Sequence, residues 1–165
     1  MTDAATTTIT QVHRVFIKAT AQAVWDAIVE PEWNRRYGYQ AQSDYELHPG
    51  GAYRGHASTA MAADGAPDVI IDGEILEVDP PRRLVQTWHA KFDPRMAEEG
   101  PTKLTWDIEE LPVGGVCRVT VTHELDGAPV TAAQVGGEIL QAGGGWDLIL
   151  SDLKTLLETG KAFQE

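Results

Sequence analysis

The chain has 165 residues, of which 42% are hydrophobic, enough for one packed core and short for two domains. No apolar run approaches the roughly 20 residues that span a bilayer, so membrane insertion is not expected. A formal net charge of -12, with the basic pairs Arg35-Arg36 and Arg82-Arg83 standing apart, excludes a phosphate-tracking surface and therefore nucleic acid as a partner.

The N-terminus lacks the basic segment and apolar stretch of a secretory signal. A disordered tail is expected over residues 1–10, followed by a single domain over residues 11–165. A cytoplasmic location is expected as well. The lone cysteine, Cys117, fits it, because no intrachain disulfide can form and the thiol reads as a small buried hydrophobe.

VHRVFIK, residues 12–18, reads as a strand rich in β-branched and aromatic side chains. ATAQAVWDAIVEP then places Val24, Trp25, Ile28 and Val29 at helical spacing, with Thr20 as N-cap. Pro31 ends that helix and starts a short second one through EWNRRYG, with Gly38 as its stop.

From Tyr45 to Leu125 the period becomes two, punctuated by turn residues, which predicts an antiparallel meander of about five or six strands. Leu104, Trp106 and Ile108 alternate with polar neighbours, as do Cys117, Val119, Val121 and His123, so one face is expected to be buried and the other wet. Gln86 shares the buried side with Leu84 and Trp88. Gly73 interrupts its strand where a bulge or a close backbone approach is expected. The connections STAMAADGAP and KFDPRMAEEGP are long for a compact meander and read as loops able to gate a cavity.

The last element is helical, with Trp146, Ile149, Leu150, Leu153, Leu156 and Leu157 forming an apolar stripe that Gly160 terminates. The order predicts an α+β fold in which a curved antiparallel sheet wraps around the long C-terminal helix.

Four blocks in this order, IKATAQAVWDAIVEPEW, HPGGAYRG, GEILEVDPPRRLVQTW and GGGWDLILSDLKTLLETG, resemble the activator of heat-shock-protein-90 ATPase homologue family. That family lies within the START-like (SRPBCC, birch-pollen-allergen-like) superfamily. The resemblance implies a helix-grip fold with a cavity beneath the helix. Wider relatives bind lipids, sterols, hormones or polyketides, and some are cyclases or hydrolases, so the fold alone does not select a function.

Several short patterns carry little chemistry here. Gly143 to Gly145 run into Trp146 and Asp147 and lack the Lys and Ser or Thr of a phosphate loop. Ser151 and Lys154 match SxxK without its companion motifs and lie off the apolar stripe. His123-Glu124 begins HExxH, but Gly127 occupies the second histidine position. His13, His48, His56 and His89 show no ligand spacing, so neither a metal nor a cofactor is expected.

The aromatic set is more informative. Trp33, Tyr37, Tyr53, Trp88, Trp106 and Trp146, with Leu150 from the helical stripe, come from elements that the fold gathers around one volume. An apolar cavity with a few polar tips is the usual character of a small-molecule site. Gln86, Arg54, His56 and His123 are the candidate polar groups, Arg54 and His56 only if the register after Gly51 turns them inward.

The leading expectation is a binding module for a small hydrophobic molecule. A cyclase or hydrolase using His123 as acid or base, with Gln86 or Arg54 polarising a carbonyl, is the alternative. A stress-related protein contacting a chaperone or regulator through its acidic surface is the third, and a homodimer is left open.

Overall fold

The structure, a computed structural model, describes residues 8–139 and 143–165. Residues 1–7 of the expected tail lie outside the described residues, and Thr10 already belongs to β1 (Thr10–Ile17). Helix α1 (Ala21–Val29) begins where Thr20 predicts, its Oγ1 accepting from the Ala23 N–H at 3.1 Å. Val24, Trp25, Ile28 and Val29 are buried, as their spacing requires.

Helix α2 (Pro31–Asn34) is shorter than expected and does not reach Gly38. The Asn34 side chain explains the early end. Its Nδ2 donates to the Ile28 and Ser43 carbonyls at 3.1 and 2.9 Å, and its Oδ1 accepts from the Ser43 N–H at 2.9 Å. A buried amide so engaged pulls the chain out of the helix toward the next strand. Gly38 is therefore not a helix stop; it adopts φ 65° and packs against Ile149.

The order continues with β2 (Ser43–Tyr45), β3 (Ala52–His56), α3 (Thr59–Ala63), β4 (Val69–Asp79), β5 (Arg83–Ala90), α4 (Pro94–Glu99), β6 (Thr102–Glu110), β7 (Cys117–Glu124), α5 (Pro129–Val135) and α6 (Gly145–Thr159). Seven antiparallel strands form one sheet in the order β1-β7-β6-β5-β4-β3-β2. The first strand thus closes against the last, and residues between them form the meander.

Both segments expected to be plain loops hold a helix. In α3 the Ser58 hydroxyl accepts from the Met61 N–H at 3.2 Å, and in α4 Asp93 accepts from the Arg95 N–H at 2.8 Å with Pro94 at the first position. Helices of 5 and 6 residues are too short to show a period, although their capping residues are present in the sequence. Helix α5, with Pro129 at its start, is a further element beyond the expected order.

Alternation holds along β6 and β7, where Leu104, Trp106, Ile108, Cys117, Val119, Val121 and His123 are buried. The opposite face is not uniformly wet, because Val85 and Thr105, paired directly across β5 and β6, are also buried. A Cβ on Gly73 would lie 1.9 Å from the Thr87 carbonyl oxygen, and the register shifts just beyond, between Ile75 and Glu77. Both the close approach and the bulge bend this part of the sheet.

Helix α6 lays Trp146, Leu150, Leu153 and Leu156 against the sheet. Asp152 is buried among them, its Oδ2 accepting from the Gly38 N–H at 2.8 Å and its Oδ1 from the Phe163 N–H at 2.7 Å. It ties the helix to both flanking segments. At the entry to α6, Gly145 has φ 62° and an added Cβ would lie 2.2 Å from the Val135 carbonyl oxygen, so close packing and a change of direction account for this glycine. No helix among the described residues is long and apolar enough to cross a membrane.

Candidate functional site

Between the sheet and α6 lies a cavity of about 650 Å³. Its floor is aromatic. Trp88 projects from β5, Trp106 from β6 and Trp146 from the first turn of α6, and the rings of Trp106 and Trp146 meet edge-on with centroids 5.5 Å apart. Trp88 and Trp146 are tilted at 6.5 Å. These are arrangements that aromatic quadrupoles favour.

Tyr37, Tyr45 and Tyr53 form a second wall. Tyr45 and Tyr53, directly opposite in the β2–β3 register, have ring centroids 4.8 Å apart. The Tyr37 hydroxyl donates to the Ala27 carbonyl at 2.9 Å, and the Tyr53 hydroxyl lies 3.5 Å from Ser43 Oγ. Burial raises the pKa of all three phenols above the ordinary value, so they stay neutral at physiological pH.

The rim comes from the connecting segments. Met61 in α3 and residues 64–67 after it, Phe92 and Asp93 before α4, and Gln134 in α5 line this side, with the buried Val135 beneath them. Glu99 fastens two of these together: its Oε2 accepts from the Val130 N–H at 2.8 Å, and its Oε1 accepts from the N–H and hydroxyl of Thr131 at 2.8 and 2.7 Å. Partial burial opposes its ionisation, but the Thr131 and Val130 donors outweigh that and hold the carboxyl below its ordinary pKa.

The expected aromatic set divides. Tyr37, Tyr53, Trp88, Trp106 and Trp146 line the cavity, whereas Trp33, Gln86, His123 and Leu150 do not. Trp33 instead lies under the Arg36 guanidinium, 5.2 Å from its ring centroid. Leu150 is core packing. Gln86 is fully buried; its Nε2 makes a long 3.4 Å contact with the Thr87 carbonyl, and its Oε1 has no protein partner among the described residues.

Arg54 and His56 face away from the cavity. Tyr53 and Gly55 take the inward positions of β3, so strand alternation turns residues 54 and 56 outward. His56 Nε2 lies 2.7 Å from Asp44 Oδ2 instead. The sequence could not place this register, because β3 is short and mixes small, aromatic and charged residues.

His123 is fully buried behind the aromatic floor. The Trp146 indole N–H, which can only donate, gives its hydrogen to His123 Nδ1 at 3.1 Å. Nδ1 is therefore unprotonated and Nε2 carries the hydrogen, donating to Thr102 Oγ1 at 2.7 Å. Thr102 passes its own hydrogen to the Trp88 carbonyl at 2.7 Å. Burial first, then the nearby His13, lowers the His123 pKa to about 3. Both ring nitrogens are engaged by protein, so the imidazole holds Trp146 and Trp88 in place and is not presented to the cavity.

Tyr39, Tyr45, Asn34, Val135 and the segment after α3 also line the cavity, beyond the residues the sequence pattern points to. Tyr45 is accessible in principle as the cross-strand partner of Tyr53. Tyr39 and the segment after α3 depend on where loops settle, and Asn34 and Val135 on how the short helices α2 and α5 dock. No group of three or more His, Cys, Asp or Glu comes together to hold a metal among the described residues.

The family model described as Activator of Hsp90 ATPase homolog 1-like protein matches residues 18–158. No curated protein matches the sequence significantly. Among solved structures, CalU16 from Micromonospora echinospora superposes with a TM-score of 0.65 at 18% identity, over 93% of this chain and 78% of that one. A Bordetella parapertussis protein gives a TM-score of 0.65 at 21% identity, over 98% and 80% of the two chains. DynU16, described as a putative protein in the dynemicin biosynthetic locus, gives 0.62 at 21% identity, over 93% of this chain but 48% of its own. At such identities the likeness shows the fold, an α+β helix-grip arrangement.

Proposed function

Since the chain belongs to the Activator of Hsp90 ATPase homolog 1-like family, we propose that it is a binding module holding a small apolar molecule between the sheet and α6. The observation that carries this reading is the cavity of about 650 Å³ walled by three tryptophans and four tyrosines. Small-molecule sites run to roughly 300–1,000 Å³, are mostly apolar and orient their ligand with few polar groups. Tyr45, Tyr53, Trp88, Trp106 and Trp146 stand on regular elements and pack with Tyr37 in the core, so the site is formed before a ligand arrives. No catalytic pair supports an enzymatic reading, because His123 is engaged behind Trp146.

The test is a titration of the purified protein with lipids, sterols and aromatic polyketides, followed by intrinsic tryptophan fluorescence and native mass spectrometry. Saturable one-to-one binding is expected from at least one class. The Ala41→Trp substitution, on the cavity wall outside any helix or strand, should abolish it while leaving the thermal midpoint nearly unchanged. If no class bound, or if Ala41→Trp bound equally well, the reading would be overturned.

A further inference from the structure

The charges around the cavity are one-sided. Among its described lining residues there is no Lys, Arg or His, and the charged side chains are Asp64 and Asp93, both at the mouth. No cation lies within ion-pair distance of Asp64 among the described residues, while Asp93 is held by Arg95 at 2.8 Å. Arg95 sits beside the rim and does not line the cavity.

The interior supplies no compensating positive group. The phenols of Tyr37, Tyr45 and Tyr53 stay neutral. The N-terminus of α6 opens on the cavity, but its Gly145 N–H already donates to the Tyr39 hydroxyl at 3.0 Å, and Asp147 in its first turn offsets its partial positive charge. The chain as a whole adds a net charge of -12, so an approaching anion also meets a repulsive long-range field.

We propose that Asp64 and Asp93 make the mouth a charge filter, through which the cavity admits amine-bearing or uncharged apolar molecules and rejects apolar carboxylates. The inference rests on the binding reading above and specifies the chemical class of its ligand. A carboxylate head at the mouth would face the uncompensated Asp64 beside the closed Asp93–Arg95 pair, whereas an ammonium would pair with Asp64. The apolar body of either would occupy the same aromatic walls, so the head group alone decides.

Three probes of one shape separate the possibilities: pyrenemethylamine, pyrenemethanol and pyrenecarboxylate, titrated at neutral pH and low ionic strength by fluorescence. The amine should bind at least about tenfold tighter than the carboxylate, as expected for one favourable and one unfavourable charge near a hydrated carboxylate. The alcohol should fall between them. In the double variant Asp64→Asn with Asp93→Asn, where Asn at position 93 still caps α4, the gap should shrink to about threefold or less. Binding of the alcohol should change less than about twofold, which shows that the cavity is intact.

Equal binding of amine and carboxylate, or a gap that survives the double substitution, would overturn the charge filter while leaving the cavity in place. Failure of all three probes to bind would overturn the cavity reading together with it.

Discussion

Replacing His123 by Leu should remove a specific acid sensitivity from the fold. In the native state the His123 ring is neutral, buried and lowered in pKa from 6.5 to about 3, with Trp146 and Thr102 as its partners. In the unfolded chain the same ring titrates near about 6.5. Above that pH neither state is protonated, and the group contributes no pH dependence. Below it the unfolded state binds a proton that the native state refuses, so stability falls as pH falls until the native ring itself titrates. The slope is about 1.4 kcal/mol per pH unit. Between about pH 6.5 and 4.5 this amounts to roughly 2–3 kcal/mol, on top of carboxylate titration that the parent and the variant share.

The His123→Leu variant should be less stable at neutral pH, by about 1–3 kcal/mol, because the buried Trp146 N–H loses its acceptor. It should then lose much less than the parent protein on acidification. Urea unfolding at several pH values, followed by the fluorescence of the 5 tryptophans, measures both quantities. Parallel loss of stability by the two proteins down to about pH 4.5 would refute the assignment of a neutral, committed imidazole.

Asp152→Ala leaves the Gly38 and Phe163 N–H groups without their acceptor and should cost about 2–4 kcal/mol in chemical denaturation, with Asp152→Asn milder. Gly73→Ala would place a Cβ 1.9 Å from the Thr87 carbonyl oxygen and should lower stability by more than about 2 kcal/mol. Gly114→Ala, with open space around its Cβ, should stay within about 0.5 kcal/mol of the parent. Glu99→Gln weakens the clasp on Val130 and Thr131 and should cost about 1–2 kcal/mol. Hydrogen exchange of the α5 amides, faster in that variant than in the parent, would locate the loosening at the rim of the cavity.

Much of the architecture is written in the local pattern. The strand alternation of Leu104, Trp106 and Ile108, the cap at Thr20 and the stripe on α6 each follow from residues within a few positions of one another. Such signals survive reading in one dimension because they reflect backbone geometry and periodic burial. Tyr53, Trp88, Trp106 and Trp146 in the cavity wall are legible for the same reason, as inward positions on periodic elements.

Which polar groups reach the cavity is decided by the tertiary structure. His123 has the inward parity of its strand, yet Trp146 stands between it and the open volume, a relation between residues 23 positions apart in sequence. Arg54 and Tyr53 could not both face inward, and only the pairing of β3 with β2 and β4 chose between them. The rim residues Asp64 and Asp93 lie in connections without a period, at the end of α3 and the start of α4. Sequence by itself determined the fold and its aromatic interior, because both repeat along the chain; the charge at the entrance depends on how loops meet, and that is settled only by packing.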